Sequence, residues 1–341
     1  MSAGERVVGD ARVRPGPRRR APRRVRPHHH GSAGAPTTLA TQDPYTAAFA
    51  WASRLPAGPP PEIPFLVGTS LHLPDGSALD LDLDQAGLVG TVTGGTLILA
   101  QTSSDPLRTE YQIISPDGQA RTLPAESSDH YVQEALVSPD GTLFADGPDV
   151  IDLATGQVIA SLPADANILI HWTSVGIVYG TDQRAALWNP LTGAATDLGP
   201  YPGKFGLGSD SFVRWRKGCS IVSTVTADGL SEKGRLCGTR LLTASNDGNT
   251  WVSQQMDVLD TQGTQHETRG TLSGFPPDAK IHPIEETDWV SPEEFLMSMS
   301  NQNGTQSVVI RCNVDTLTCT RATHVYDLPA TDRAIDLPGG G

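Results

Sequence analysis

Turn signals of two kinds alternate along this chain and return about every 40 residues. The first kind centres on Gly95, Gly141, Gly176, Asp210, Gly248 and Glu293. The second follows each in turn, at Gly118, Gly156, Gly193, Gly229, Gly263 and Thr316. An internal period of roughly 40–45 residues, with four short strands per unit, belongs to sheets arranged radially as blades around a channel. The repeat constrains the fold strongly, because one such unit cannot bury its faces alone and must stack on neighbours. The expected fold is all-β: a single β-propeller of seven four-stranded blades, with six and eight as the alternatives. Propellers host unrelated functions, so activity has to be argued from a site.

Composition agrees with many short strands. There are 35 glycines and 27 prolines among 341 residues, and only 6 % are aromatic. No stretch reaches the ~18 consecutive apolar residues of a membrane-spanning helix. The net charge of −13 is unevenly divided. Residues 1–27 hold nine arginines against Glu5 and Asp10, a net of +7, which leaves −20 on the rest. An acidic body argues against a nucleic-acid surface, since neutralising phosphates takes clustered Lys and Arg.

Four cysteines fall at one place in the repeat. Cys219 and Cys237 flank the second turn of one unit, and Cys312 and Cys319 flank the same turn of another. Residues directly opposed on neighbouring antiparallel strands have Cα atoms about 4.5–5.5 Å apart, within disulfide range. Two structural disulfides are therefore expected, with reduced structural cysteines as the alternative. A zinc site fits less well, because neither spacing is C-x2-4-C. Disulfides point to an extracytoplasmic compartment. Against this, Ala21-Pro22-Arg23-Arg24 stands where a signal peptide would place its apolar stretch, which leaves a cytoplasmic location as the alternative. One resolution is that the start or reading frame of residues 1–36 is wrong and the export signal is missing.

Three regions follow along the chain. Residues 1–38 are Arg-, Pro- and His-rich without periodicity and are expected to be a disordered tail, in which His28-His29-His30 reads as incidental. Residues 39–62 hold a short helix and a proline-rich connector. Asp43 is the expected N-cap, Pro44 the first helical residue, and Tyr45, Ala48, Phe49 and Ala52 the face laid on the propeller. Residues 63–341 form the propeller. Its first unit, with strands at Phe65–Val67, Ser70–Leu73 and Ala78–Leu83, is one strand short. Val325–Leu328 or Ala334–Leu337 from the C-terminus is expected to complete it, closing the ring and removing its exposed edges. Asp80, Asp82 and Asp84 alternate with Leu81 and Leu83 and read as a solvated edge face rather than a calcium loop.

Ser115-Pro116-Asp117-Gly118, Ser138-Pro139-Asp140-Gly141 and Asp152-Leu153-Ala154-Thr155-Gly156 resemble the turns of WD40-like and TolB-like bacterial propellers. The likeness covers roughly residues 63–326. It implies the architecture, and a tendency of such relatives to be exported binding or scaffolding proteins. The Trp-Asp and Gly-His pairs of eukaryotic WD40 repeats are absent.

No catalytic, cofactor or metal motif appears: there is no G-x-S-x-G elbow, H-E-x-x-H, phosphate loop or Rossmann fingerprint. His72, His130, His171, His266, His282 and His324 are scattered. Glu285-Glu286 and Glu293-Glu294 flank Trp289, as paired carboxylates beside a sugar-stacking ring would, but adjacent strand residues point to opposite faces. Asn303-Gly304-Thr305 matches a glycosylation sequon and equally a hairpin turn. The sequence thus reads as a monomeric, non-enzymatic exported propeller that binds a protein or cell-envelope ligand through loops at the channel mouth. The alternative is a propeller hydrolase or lyase acting on a glycan or small ester.

Overall fold

A computed structural model describes residues 43–102, 108–126, 135–181, 184–200, 204–205, 210–262, 265–282, 286–328 and 335–338. Within them the strands fall into seven antiparallel sheets, which form the blades of a propeller. Blade 1 is Phe65–Val67, Ser70–His72 and Ala78–Asp80. Blade 2 runs from Gln85–Val92 through Gly95–Thr102 and Arg108–Ile114 to Ala120–Glu126. Blades 3 to 6 begin at Ala135–Val137, Ile168–Thr173, Lys204–Phe205 and Leu241–Ala244, and blade 7 at Thr287–Trp289. In each of blades 2 to 7 the strands pair in chain order. The first strands of blades 2, 3 and 4 contact one another in succession, so first strands line the axis and fourth strands the rim.

The second and third strands read as unbroken apolar runs because both their faces are buried. In Gly95–Thr102, Leu97 and Leu99 enter the seam with blade 3, while Ile98 and Ala100 enter the seam with blade 1. In Gly176–Gly180, Ile177 and Tyr179 face blade 3 and Val178 faces blade 5. In Gln306–Asn313, Val308, Ile310 and Cys312 face blade 6 and Val309 faces blade 1. Successive side chains of a strand point to opposite faces, so each blade supplies two half-cores. The core is seven seams rather than one centre.

The recurring turns work through side-chain oxygens. In Ser138-Pro-Asp-Gly141 the Ser138 hydroxyl donates to Asp140 Oδ1 (2.6 Å), and the Gly141 N–H donates to the Ser138 carbonyl (2.8 Å). Ser245–Gly248 repeats this between the first two strands of blade 6, with Ser245 donating to Asp247 (2.6 Å). The second turn uses Asp152, Asn189 and Asn313, whose side-chain oxygens accept the N–H groups of Thr155, Thr192 and Thr316. In the first turn, bonds from the Ser138 hydroxyl above all, and then from Thr142, hold the Asp140 carboxyl below its ordinary range.

Two first-turn glycines are required by close approach. A Cβ on Gly95 would stand 2.3 Å from the Ile114 carbonyl oxygen, and one on Gly176, at φ +149°, 2.5 Å from that of Trp188. Gly176→Ala is therefore expected to cost on the order of 1–3 kcal/mol, read as a lowered urea midpoint with an unchanged slope.

Ring closure distinguishes the two C-terminal candidates. Leu66 and Asp336 exchange both backbone bonds, at 3.0 and 3.1 Å, so the segment around Asp336 takes the innermost position of blade 1 through an isolated bridge. Ser298 Oγ donates to the Ile335 carbonyl (2.8 Å), and the Leu337 N–H donates to Glu286 Oε2 (2.9 Å). Tyr326–Asp327 instead pairs with Gln306–Ser307 in blade 7. The strand expected over Ala78–Leu83 ends at Asp80: the Leu81 N–H still donates in register to the Thr69 carbonyl (3.0 Å), and the chain then turns as the Leu83 N–H donates to the Leu81 carbonyl (2.9 Å). Alternation nevertheless persists beyond it: Asp82 and Asp84 are exposed, and Leu81 and Leu83 pack on the blade 1–2 seam.

Asp43 caps a helix, α1 (Pro44–Ala52), by accepting the Thr46 N–H (3.2 Å). Its buried residues are Ala48, Phe49, Trp51 and Ala52, which close the seam between blades 6 and 7. Tyr45 lies at the exposed edge against His282, a place the spacing alone had given to the buried face. The connector then runs beside Thr318–Arg321, the fourth strand of blade 7. Gly58 donates to the Arg321 carbonyl and Arg321 to that of Pro56, both at 2.8 Å, which covers a free sheet edge. The tail proposed for residues 1–38 lies outside the described residues.

Candidate functional site

Blade 5 carries a concave feature lined mostly by cations. Its second to fourth strands are Ser211–Arg216, Cys219–Thr226 and Gly229–Cys237. Arg214 stands opposite Ile221, which stands opposite Arg235; Arg216 stands opposite Cys219, which stands opposite Cys237. Opposed residues share a face, so Arg214, Arg216, Ile221, Cys219 and Arg235 all project to one side. Further along, the same face carries Phe212 and Val225 into the seam with blade 4. A two-residue hairpin, Lys217-Gly218, turns between the strands with φ of 51° and 78°. Positive φ at both positions matches the right-handed twist of the flanking strands. Arg214, Arg216, Lys217, Cys219, Ile221 and Arg235 together line a shallow cleft of about 160 Å³.

The cleft has four cations and, among the described residues, one carboxylate to answer them. Glu232 lies 3.4 Å from Arg235 and 3.9 Å from Arg214, the second distance too long for a direct hydrogen bond. Arg214 is four-fifths buried, and its Nε has no hydrogen-bond partner among the described residues. Leaving a buried donor unmet costs roughly 1–3 kcal/mol, more when the group is charged. On the other face, Arg240 lies over the Trp215 ring at 5.8 Å from its centroid. The local charge opposes that of the body as a whole.

Both cysteine pairs are disulfides between directly opposed residues, with Cα atoms 3.9 Å apart at Cys219–Cys237 and 4.1 Å at Cys312–Cys319. They lie at opposite ends of equivalent hairpins. Cys312–Cys319 adjoins the turn and is buried, at 0 and 6 % exposure, whereas Cys219–Cys237 closes the open end beside the arginines, with Cys237 exposed.

The remaining candidates do not converge. His171 is buried in the first strand of blade 4, and His282 packs on Tyr45. His266 bonds the Arg235 carbonyl through Nε2 (2.7 Å). His72 stacks on Phe65 with centroids 4.6 Å apart; burial, with help from His324 and against Asp80, holds its imidazole below the ordinary range. His130 and Glu285 lie outside the described residues. Glu286 accepts from Leu337, Glu293 from Ser291, and Glu294 from Arg311 and Asn313. Trp289 is 4 % exposed and donates to Thr243 Oγ1 (3.0 Å), so its ring offers no stacking face. No group of three His, Cys, Asp or Glu with metal-binding geometry occurs among the described residues.

One acid escaped the sequence reading. Asp288 lies between Thr287 and Trp289 on the innermost strand of blade 7, opposite Leu296, which faces the closure seam. Burial pushes its carboxyl up to about 7, and no hydrogen bond or ion pair reaches it among the described residues. The folded state therefore holds a proton that the unfolded chain releases near pH 3.8. The stability tied to this proton is complete below the unfolded value and is lost as pH rises to about 7, a change of about 1–3 kcal/mol for a residue that keeps partial exposure. Asp288→Asn is expected to remove that fall; calorimetric melting of both forms at several pH values from about 4 to 8 measures it.

The fold and this site define a seven-bladed propeller with a cationic cleft on one blade. No known family and no curated protein matches the chain by sequence. Among solved structures it is similar to a Quinonprotein alcohol dehydrogenase-like protein from Bacteroides thetaiotaomicron, at 10 % identity and TM-score 0.46, covering 81 % of this chain and 77 % of that one. It is also similar to a putative 6-phosphogluconolactonase from Bacteroides fragilis (13 % identity, TM-score 0.44, 80 and 96 % covered). A third is the periplasmic gluconolactonase of Pseudomonas aeruginosa (12 %, 0.44, 80 and 99 %). At these scores the likeness carries nothing about substrate or activity.

Proposed function

We propose that this protein is a non-enzymatic binding propeller that works outside the reducing cytoplasm and holds a protein or cell-envelope ligand. The observation that carries the reading is the content of the blade 5 cleft. Its lining is three arginines, a lysine, an aliphatic residue and a disulfide-bonded cysteine, a donor-rich wall with no His, Asp, Glu, Ser or Thr among its residues. Rigid donors without a reactive group bind a ligand and leave it unchanged. The extracytoplasmic assignment is supported by two disulfides on directly opposed residues. This reading takes the contact surface to be the hairpin end of blade 5 rather than the channel mouth.

A hydrolase or lyase acting on a glycan or small ester is the second reading, and Asp288 favours it: an acid that titrates near neutrality suits proton transfer. One assay separates the two. The purified disulfide-bonded chain is incubated with fluorogenic esters and glycosides beside its Asp288→Asn form. Binding alone predicts turnover equal to the buffer blank for both proteins. Turnover that is lost in Asp288→Asn would replace this reading with the second.

A further inference from the structure

We infer that the blade 5 cleft is a binding site for a single tetrahedral oxyanion, the phosphoryl or sulfuryl group of a compact ligand. The inference deepens the binding reading above and rests on it. Arg214 and Arg235 are separated by one strand, and Arg214 and Arg216 by two residues on the same face, so three guanidinium groups border one recess. Lys217 adds an ammonium from the hairpin. A guanidinium fork is matched to phosphate or carboxylate oxygens, but one carboxylate fills only one fork. Three forks around a single recess are satisfied together by a group with three or four acceptor oxygens.

Two further observations favour an anion here. Arg214 buries its Nε with no acceptor among the described residues, and a ligand oxygen would meet that donor. Glu232 is shared between Arg235 and Arg214 and stands 3.9 Å from the latter, so the pocket keeps most of its positive charge. The cleft, at about 160 Å³, is close to an engineered cavity of ~150 Å³ that takes one benzene, so it suits a single small group. The surrounding net charge of −20 repels an extended polyanion, which removes nucleic acid from the class and leaves a compact or pendant group.

The test is an NMR and calorimetric titration of the full disulfide-bonded chain with inorganic phosphate at constant ionic strength, against chloride. Phosphate is expected to shift the amide signals of residues 214–221 and 235. Arg214→Gln should weaken binding at least tenfold, while Arg184→Gln, an exposed cation of blade 4, leaves it unchanged. If Arg214→Gln fails to fold, Arg216→Gln takes its place. Glycerol 3-phosphate and vesicles of equimolar phosphatidylcholine and phosphatidic acid identify the source: preference for either keeps the inference and says whether the group is soluble or membrane-borne. Equal responses to phosphate and chloride, or unchanged affinity in the cleft variant, would overturn it. Ester turnover with phosphate still bound at the cleft would remove the binding reading and leave the oxyanion site standing.

Discussion

Deleting residues 329–341 is expected to abolish cooperative folding of the whole propeller, although the deletion touches only the last 13 residues. The segment fills the innermost position of blade 1, where Ile335 and Leu337 are 1 and 0 % exposed. Each buried aliphatic residue cut to Ala costs about 2–5 kcal/mol, and here two are lost entirely. The Leu66 N–H and carbonyl lose both partners, and Glu286 loses the Leu337 N–H. The sum approaches the 5–15 kcal/mol by which a typical domain is stable. Urea unfolding followed by tryptophan fluorescence should show a broad transition or none. The milder Ile335→Ala should keep one transition with a stability lower by roughly 2–5 kcal/mol. A truncated chain that unfolds like the full one would mean that the ring closes by other contacts.

That closure was half legible in the sequence. The missing strand of blade 1 followed from counting, since a step of only eight residues from Gly68 to Gly76 leaves too little chain for a fourth strand. Which C-terminal segment fills the gap did not, because Val325–Leu328 and Ala334–Leu337 are both short and apolar. Position decides it: the earlier segment is still alongside Gln306–Ser307, and only the later one reaches Leu66. The turns were legible because each has a local mechanism in its own four or five residues. Asp288 was not, because its raised pKa comes from burial, and the closure seam on its side of the blade is built from segments distant in sequence, Phe65 and Ile335 among them.

The arginine cleft was readable and was missed. Arg214-Trp215-Arg216-Lys217 stands out in an acidic chain, and alternation puts both arginines on one face. The cysteines would have completed the argument. Once Cys219 is set opposite Cys237, stepping two residues along each strand sets Ile221 opposite Arg235, as observed. The disulfide is thus a register mark as well as a staple.

The two disulfides are expected to differ sharply in reactivity and in worth, and the order is opposite to what loop length gives. In the chain-entropy account, a sequence separation of 18 for Cys219–Cys237 is worth about 3 kcal/mol, and a separation of 7 for Cys312–Cys319 about 2.5. Burial reverses this ranking. Replacing Cys312 and Cys319 by Ser puts two hydroxyls into the blade 6–7 seam, adding roughly 1–3 kcal/mol for each one left unpaired. At Cys219 and Cys237 a hydroxyl reaches water, so the double Ser variant loses little beyond the cross-link. Reduction should follow exposure too. Exchange needs a thiolate to reach a sulfur, and the cations beside Cys219 stabilise it as a leaving thiolate. Mild reductant on the native protein, followed by alkylation and peptide mass analysis, should label Cys219 and Cys237 first, with Cys312 and Cys319 labelled only on unfolding. Arg216→Gln should slow the first step without changing the second. Labelling of all four at one rate would show that the hairpins open together, and the protection assigned to the seam would then be wrong.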